Sequence, residues 1–149
     1  MNPLHLPPII AVLLITAGCG GGLAVDTYPT TPGTKVDCKA LFADGPQKVA
    51  GQDQVFVHDE NASAWGDPAI VLRCGVDKPD GLTPSSQCNT VRGIDWLADT
   101  TADGYLFTTI GRKFFVSVEV PKEYAPEADA LADVADAVAK HDPSIKPCV

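Results

Sequence analysis

Long hydrophobic runs are missing from this chain of 149 residues. No stretch reaches the roughly 18–20 apolar residues that a membrane-spanning helix needs. Positive charge is scarce, with 11 Lys and Arg against 19 Asp and Glu, for a net charge of −8. That balance argues against nucleic acid or an anionic membrane surface as an electrostatic partner, and it confers solubility. Catalytic signatures are missing too. The chain has no G-x-S-x-G, H-E-x-x-H, P-loop or EF-hand pattern. None of its cysteines sits in a C-x-x-C, so a redox motif or a zinc ribbon has no support. No cofactor, no metal and no catalytic residue is expected.

What is present points to export. The 13 prolines and 13 glycines fit a loop-rich exported domain better than a helical bundle. "IIAVLLI" (Ile9–Ile15) is a short apolar core, and "TAGC" (Thr16–Cys19) supplies the small residues a signal peptidase needs. This resembles the bacterial lipobox, in which the cysteine becomes the lipidated first residue after cleavage. Two features depart from that pattern: "MNPLHLPP" lacks Lys and Arg, and Thr16 stands where Leu is usual. A rival cut lies at "GLA" (Gly22–Ala24), which would release a soluble secreted protein. The expected organisation is a lipoprotein signal over 1–18, a flexible Gly/Thr/Pro-rich tether over 19–35 and a single domain over 36–149.

The cysteine count supports that division. Of five cysteines, Cys19 is the odd one out, and Cys38, Cys74, Cys88 and Cys148 can pair among themselves. Four cysteines allow three connectivities. The expected pairs are Cys38–Cys148, tying the chain ends, and Cys74–Cys88, closing a polar loop.

Along the domain, "VDCKALFADGP" (Val36–Pro46) reads as a short helix ended by Gly45-Pro46. "GQDQVFVHDENASAW" (Gly51–Trp65) is ambiguous, with strands expected at Val55–His58 and near Ser63–Trp65. "AIVLRCG" (Ala69–Gly75) and "VRGIDWLAD" (Val91–Asp99) read as strands. Two-residue hairpin turns are expected at Asp103-Gly104 and at Gly111-Arg112. These place Phe107 opposite Val116 and Thr100 opposite Phe107. Both turns then gather Ile94, Trp96, Ala98, Tyr105, Phe107, Thr109, Phe114, Val116, Val118 and Val120 on one face. "PEADALADVADAVAKHDP" (Pro126–Pro143) reads as the covering helix, with Leu131, Val134, Ala135 and Val138 on its buried stripe. The expected fold is α+β: an antiparallel meander of three or more strands, two terminal helices on one face, and disulfide staples.

Candidate chemistry is thin. His58 in "HDE" reads as a solvated loop residue, and His141 as a cation at a helix end. Asp129, Asp133 and Asp136 form an acidic stripe that reads as a solvated face. Cys74 beside Arg73 is an activated thiolate only if it escapes a disulfide. Arg73 alternates with Ile70, Leu72 and Cys74, so it should leave the core. Arg73 and Arg112 would grip an anionic group if the fold brought them together.

"PAIVLRCGVDKP" (Pro68–Pro79), "VRGIDW" (Val91–Trp96) and "LFTTIGRKFFVSVEVP" (Leu106–Pro121) together resemble an actinobacterial family of small exported proteins known by a domain-of-unknown-function label. The residues carrying the resemblance are Trp65, Pro68, Arg73, Cys74, Gly75, Val76, Pro79, Gly93, Trp96, Thr108, Thr109 and Arg112. It implies a single exported domain and brings no activity, cofactor or site with it. The expected function is that of a non-enzymatic envelope module, monomeric and anchored to the outer face of the cell membrane through lipid on Cys19. Its partner would be an envelope protein or the cell wall. The alternative is a binder of a small anionic ligand.

Overall fold

The computed structural model describes residues 22–24, 37–59 and 61–148. The expected signal segment, Cys19 and most of the expected tether lie outside the described residues. Among the described residues eight strands form one antiparallel sheet in the order β1-β2-β3-β4-β8-β7-β6-β5. They are β1 (Lys48–Val49), β2 (Gln52–Val55), β3 (Ala62–Trp65), β4 (Ile70–Val76), β5 (Asn89–Val91), β6 (Ile94–Thr100), β7 (Gly104–Thr109) and β8 (Phe115–Pro121). Among the described residues two α-helices, α1 (Cys38–Ala43) and α2 (Ala128–His141), complete the α+β fold.

α1 starts where Asp37 accepts a hydrogen bond from the Ala40 amide at 3.0 Å, an N-cap that satisfies one orphan donor. α2 buries Leu131, Val134, Ala135 and Val138, the stripe its periodicity predicts. With Leu41 of α1, these pack on Trp65, Ile70, Leu72, Ile94, Trp96, Phe107, Val116, Val118 and Val120. One sheet face therefore meets both helices.

The meander is as expected in its faces but not in its turns. Phe107 pairs with Val118 and Thr100 with Tyr105, each two residues away from the pairing that two-residue turns would impose. A slip by two preserves which face each side chain occupies, so the apolar face survives. Ala98 and Tyr105 share that face but are exposed. "VRGIDWLAD" is not one strand. Val91 pairs with Ile94 across a tight turn, and Arg92 there adopts φ 47°. A second tight turn, Ala50-Gly51, joins β1 and β2 with Ala50 at φ 46°. Asp133 of α2 accepts the Ala50 amide at 2.8 Å, which helps hold that left-handed residue in place.

The segment at Gly111-Arg112 is longer than a hairpin turn because it has another partner. Arg112 bridges Ser144, and Gly111 O accepts the amides of Ile145 and Lys146 at 2.8 and 2.9 Å. Gly111 sits at φ 68°, and a Cβ there would overlap the Lys146 carbonyl. The chain after α2 thus turns back along the β7–β8 loop.

That path corrects both expected disulfides. The bonds are Cys38–Cys74 and Cys88–Cys148. Cys74 lies on the helix-covered face with Ile70 and Leu72, directly under α1, so Cys38 meets it at a Cα separation of 5.7 Å. Cys148 is carried by the returning tail to the polar loop that holds Cys88, where its amide donates to Asp95 at 3.0 Å.

Candidate functional site

Arg73 leaves the helix-covered face, as the pleat requires. It is nevertheless buried, at 4% exposure, on the opposite face. Its Nη1 lies 3.0 Å from Glu119 Oε2, and Ser117 stands directly across from it on β8. A buried guanidinium needs such a partner, because stripping water from an unpaired charge is costly. Arg112 has a different role. It donates to the backbone carbonyl of Asp142 and, at 3.3 Å, to that of Gly93. The two arginines are therefore not brought together to hold an anion: each is engaged with a different part of the protein.

The other candidates are likewise placed in structural roles. Thr109 is fully buried and its hydroxyl accepts the Val116 amide at 2.9 Å. Thr108 lies opposite Ser117 on the second face. Cys74 is disulfide-bonded and is not a free thiolate. His58 meets the Phe56 ring edge-on at 5.2 Å. His141 Nε2 and Lys140 Nζ both reach Asp44 Oδ2, at 2.6 and 2.7 Å, tying the end of α2 to the end of α1. Hydrogen bonds from Lys140 and then His141 hold the Asp44 carboxyl below its ordinary range. The acidic stripe is dispersed, with Asp133 on the Ala50 amide and Asp136 3.7 Å from Arg92. Among the described residues no group of three His, Cys, Asp or Glu side chains is placed to hold a metal ion.

Asp142 was not singled out by its sequence context. It is wholly buried where α2 ends. One carboxylate oxygen accepts the Phe114 amide at 3.1 Å, and the other has no hydrogen-bond partner among the described residues. Burial pushes its pKa up to about 6, against the opposing pull of the Phe114 amide and Arg112. Asp142 thereby joins α2 to the β7–β8 loop.

The concave feature beside that loop is a cleft of about 360 Å³, within the size range of small-ligand sites. Leu82, Pro84, Ile110, Pro147 and the Cys88–Cys148 bridge form its apolar lining. Lys78 and Lys146 place two cations on it, and Thr83 and Ser86 add hydroxyls. A second cleft of about 510 Å³ lies by β2 and is lined by Phe42, Gln54, Phe56 and Val57 among others. Neither is lined by Arg73 or Arg112. The lysine cleft escapes sequence reasoning because Lys78 and Lys146 are 68 positions apart and meet only through the returning tail.

Among the described residues, no helix is long and apolar enough to cross a membrane. No curated protein and no solved structure matches this chain. A family model described as protein of unknown function (DUF3515) matches residues 8–146. Since that match covers nearly the whole sequence, the chain belongs to the DUF3515 family.

Proposed function

We propose that this protein is a lipid-anchored, non-enzymatic module of the cell envelope. The observation that carries the reading is the cysteine accounting. All four cysteines of the folded domain are consumed in two bridges, and the fifth, Cys19, ends the apolar run and small residues of "IIAVLLITAGC". Structural disulfides belong to oxidising compartments, which supports export. The interaction role is supported by the engagement of Cys74, Arg73, Arg112 and His141 in structural bonds. The partner class is an envelope protein or the cell wall. The test is the mass of the mature N-terminus. A chain beginning at Cys19 with acyl chains attached is expected, and Cys19→Ser should release the protein to the medium. An unacylated chain beginning at Val25 overturns the anchor.

A second reading, binding of a small anionic ligand, is favoured by the Lys78/Lys146 cleft rather than by the arginines. Two cations beside an apolar pocket stand out in a chain of net charge −8. In an NMR titration, hexyl phosphate should shift the amides of Thr83, Ser86 and Lys146, and hexylammonium should not. Equal shifts with both probes, or none, overturn this reading.

A further inference from the structure

We infer that the edge of the domain carrying Leu23 and Phe56 is its membrane-facing surface, with both side chains seated in the lipid interface. The inference rests on the lipid anchor proposed above. Gly22–Ala24 fall within the expected tether, yet they are attached to the domain. The Leu23 amide donates to Phe56 O at 2.8 Å, and Leu23 bridges Val57 in parallel. Gly22 packs so closely that an added Cβ would overlap the His58 imidazole and the Phe56 ring.

The attachment sets a length. Gly22 follows Cys19 by three residues. Even fully extended, those residues span only about 10 Å. Acyl chains on Cys19 enter the bilayer, so the attachment point must lie that close to it. Residues 25–36 come after the attachment and cannot act as a spacer between anchor and domain. The side chains at this point suit an interface. Phe56 is 70% exposed and Leu23 38% exposed, which sets two large apolar side chains together at the surface beside the attachment point. The nearby carboxylate of Asp59 accepts the Asn61 amide at 2.8 Å, and His58 turns its ring to Phe56. The attachment also bears on the cut site: cleavage after Ala24 would discard the attached residues, whereas cleavage before Cys19 retains them.

β2 lies one strand from the β1 edge, and β5 forms the other edge. The six strand steps from β2 to β5 span about 29 Å. The Lys78/Lys146 cleft, walled by Cys88 just before β5, therefore lies away from the membrane.

Tryptophan fluorescence tests this directly, because Trp65 and Trp96 are buried at 1% and 0% exposure and give a quiet background. The mature protein carrying Phe56→Trp is reconstituted in phosphatidylcholine–phosphatidylglycerol vesicles with a shallow doxyl-lipid quencher. Tyr105→Trp, four strands away on β7, serves as the control. The Phe56→Trp signal should be quenched about twofold more than the control, as an interfacial residue is. Adding Gly22→Val, which breaks the attachment, should abolish the difference. Intact mass reports acylation separately. Equal quenching at both positions in an acylated chain overturns the membrane-facing surface alone. An unacylated chain beginning at Val25 overturns the anchor and the surface together.

Discussion

Cys38–Cys74 and Cys88–Cys148 staple the molecule in surroundings that have little in common. The first is inside the core, with Cys74 1% exposed beneath α1. The second is half-exposed and walls the lysine cleft, joining a polar loop to a tail whose residues 143–147 are all exposed. Chain entropy favours the second, because it closes a separation of 60 residues against 36. Packing favours the first, because its sulfurs fill a close-packed interior. The difference teaches that loop length alone does not rank staples. A bridge to a weakly packed tail protects only what that tail can unfold by itself.

The largest effect expected is from Cys38→Ala with Cys74→Ala. Loop entropy contributes about 4 kcal/mol, and the cavity adds to it. Urea denaturation should show the midpoint fall accordingly. Next comes Asp142, which anchors the β7–β8 loop against which the tail folds. Its folded pKa of about 6 lies above the ordinary 3.8, so the folded state holds the proton more tightly. That stabilisation is fully present below about pH 3.8 and is lost as pH rises through about 6. Relative to Asp142→Asn, which keeps an oxygen for the Phe114 amide and does not ionise, wild type should lose about 2.5 kcal/mol between about pH 4 and pH 7. A constant difference between the two denaturation series would show that this carboxyl does not titrate so.

Cys88→Ala with Cys148→Ala should cost less than about 2 kcal/mol globally, while amides 144–146 exchange far faster, because the tail opens locally. Equal global losses from both cysteine pairs would break the comparison. The smallest effect is expected from Asp133→Ala. It removes an exposed hydrogen bond to the Ala50 amide and should cost about 1 kcal/mol by thermal unfolding.

The faces of the sheet were legible because alternation is local. Phe107, Val116, Val118 and Val120 belong on one side whatever the turn, and even a two-residue slip leaves them there. Turn geometry was less legible. Arg92 and Ala50 adopt positive φ that their side chains do not announce, and the Gly111-Arg112 segment opens to receive the tail. The candidate site was hardly legible. Arg73 was expected to leave the core, which the pleat ensured, but its burial beside Glu119 depends on a strand 46 residues away. Asp142 carries no local signal of its role, because only the packing of the β7–β8 loop removes it from water.

By itself, then, the sequence determined the α+β class, the covering stripe of α2, the apolar face of the meander and the oddness of Cys19. These are matters of periodicity and counting along one chain. The tertiary structure alone decided which cysteines meet, where the two lysines converge and that Gly22–Ala24 attach beside Phe56. Each of those requires two distant segments to arrive at one place. The path of the chain in space determines that, and no local pattern encodes it.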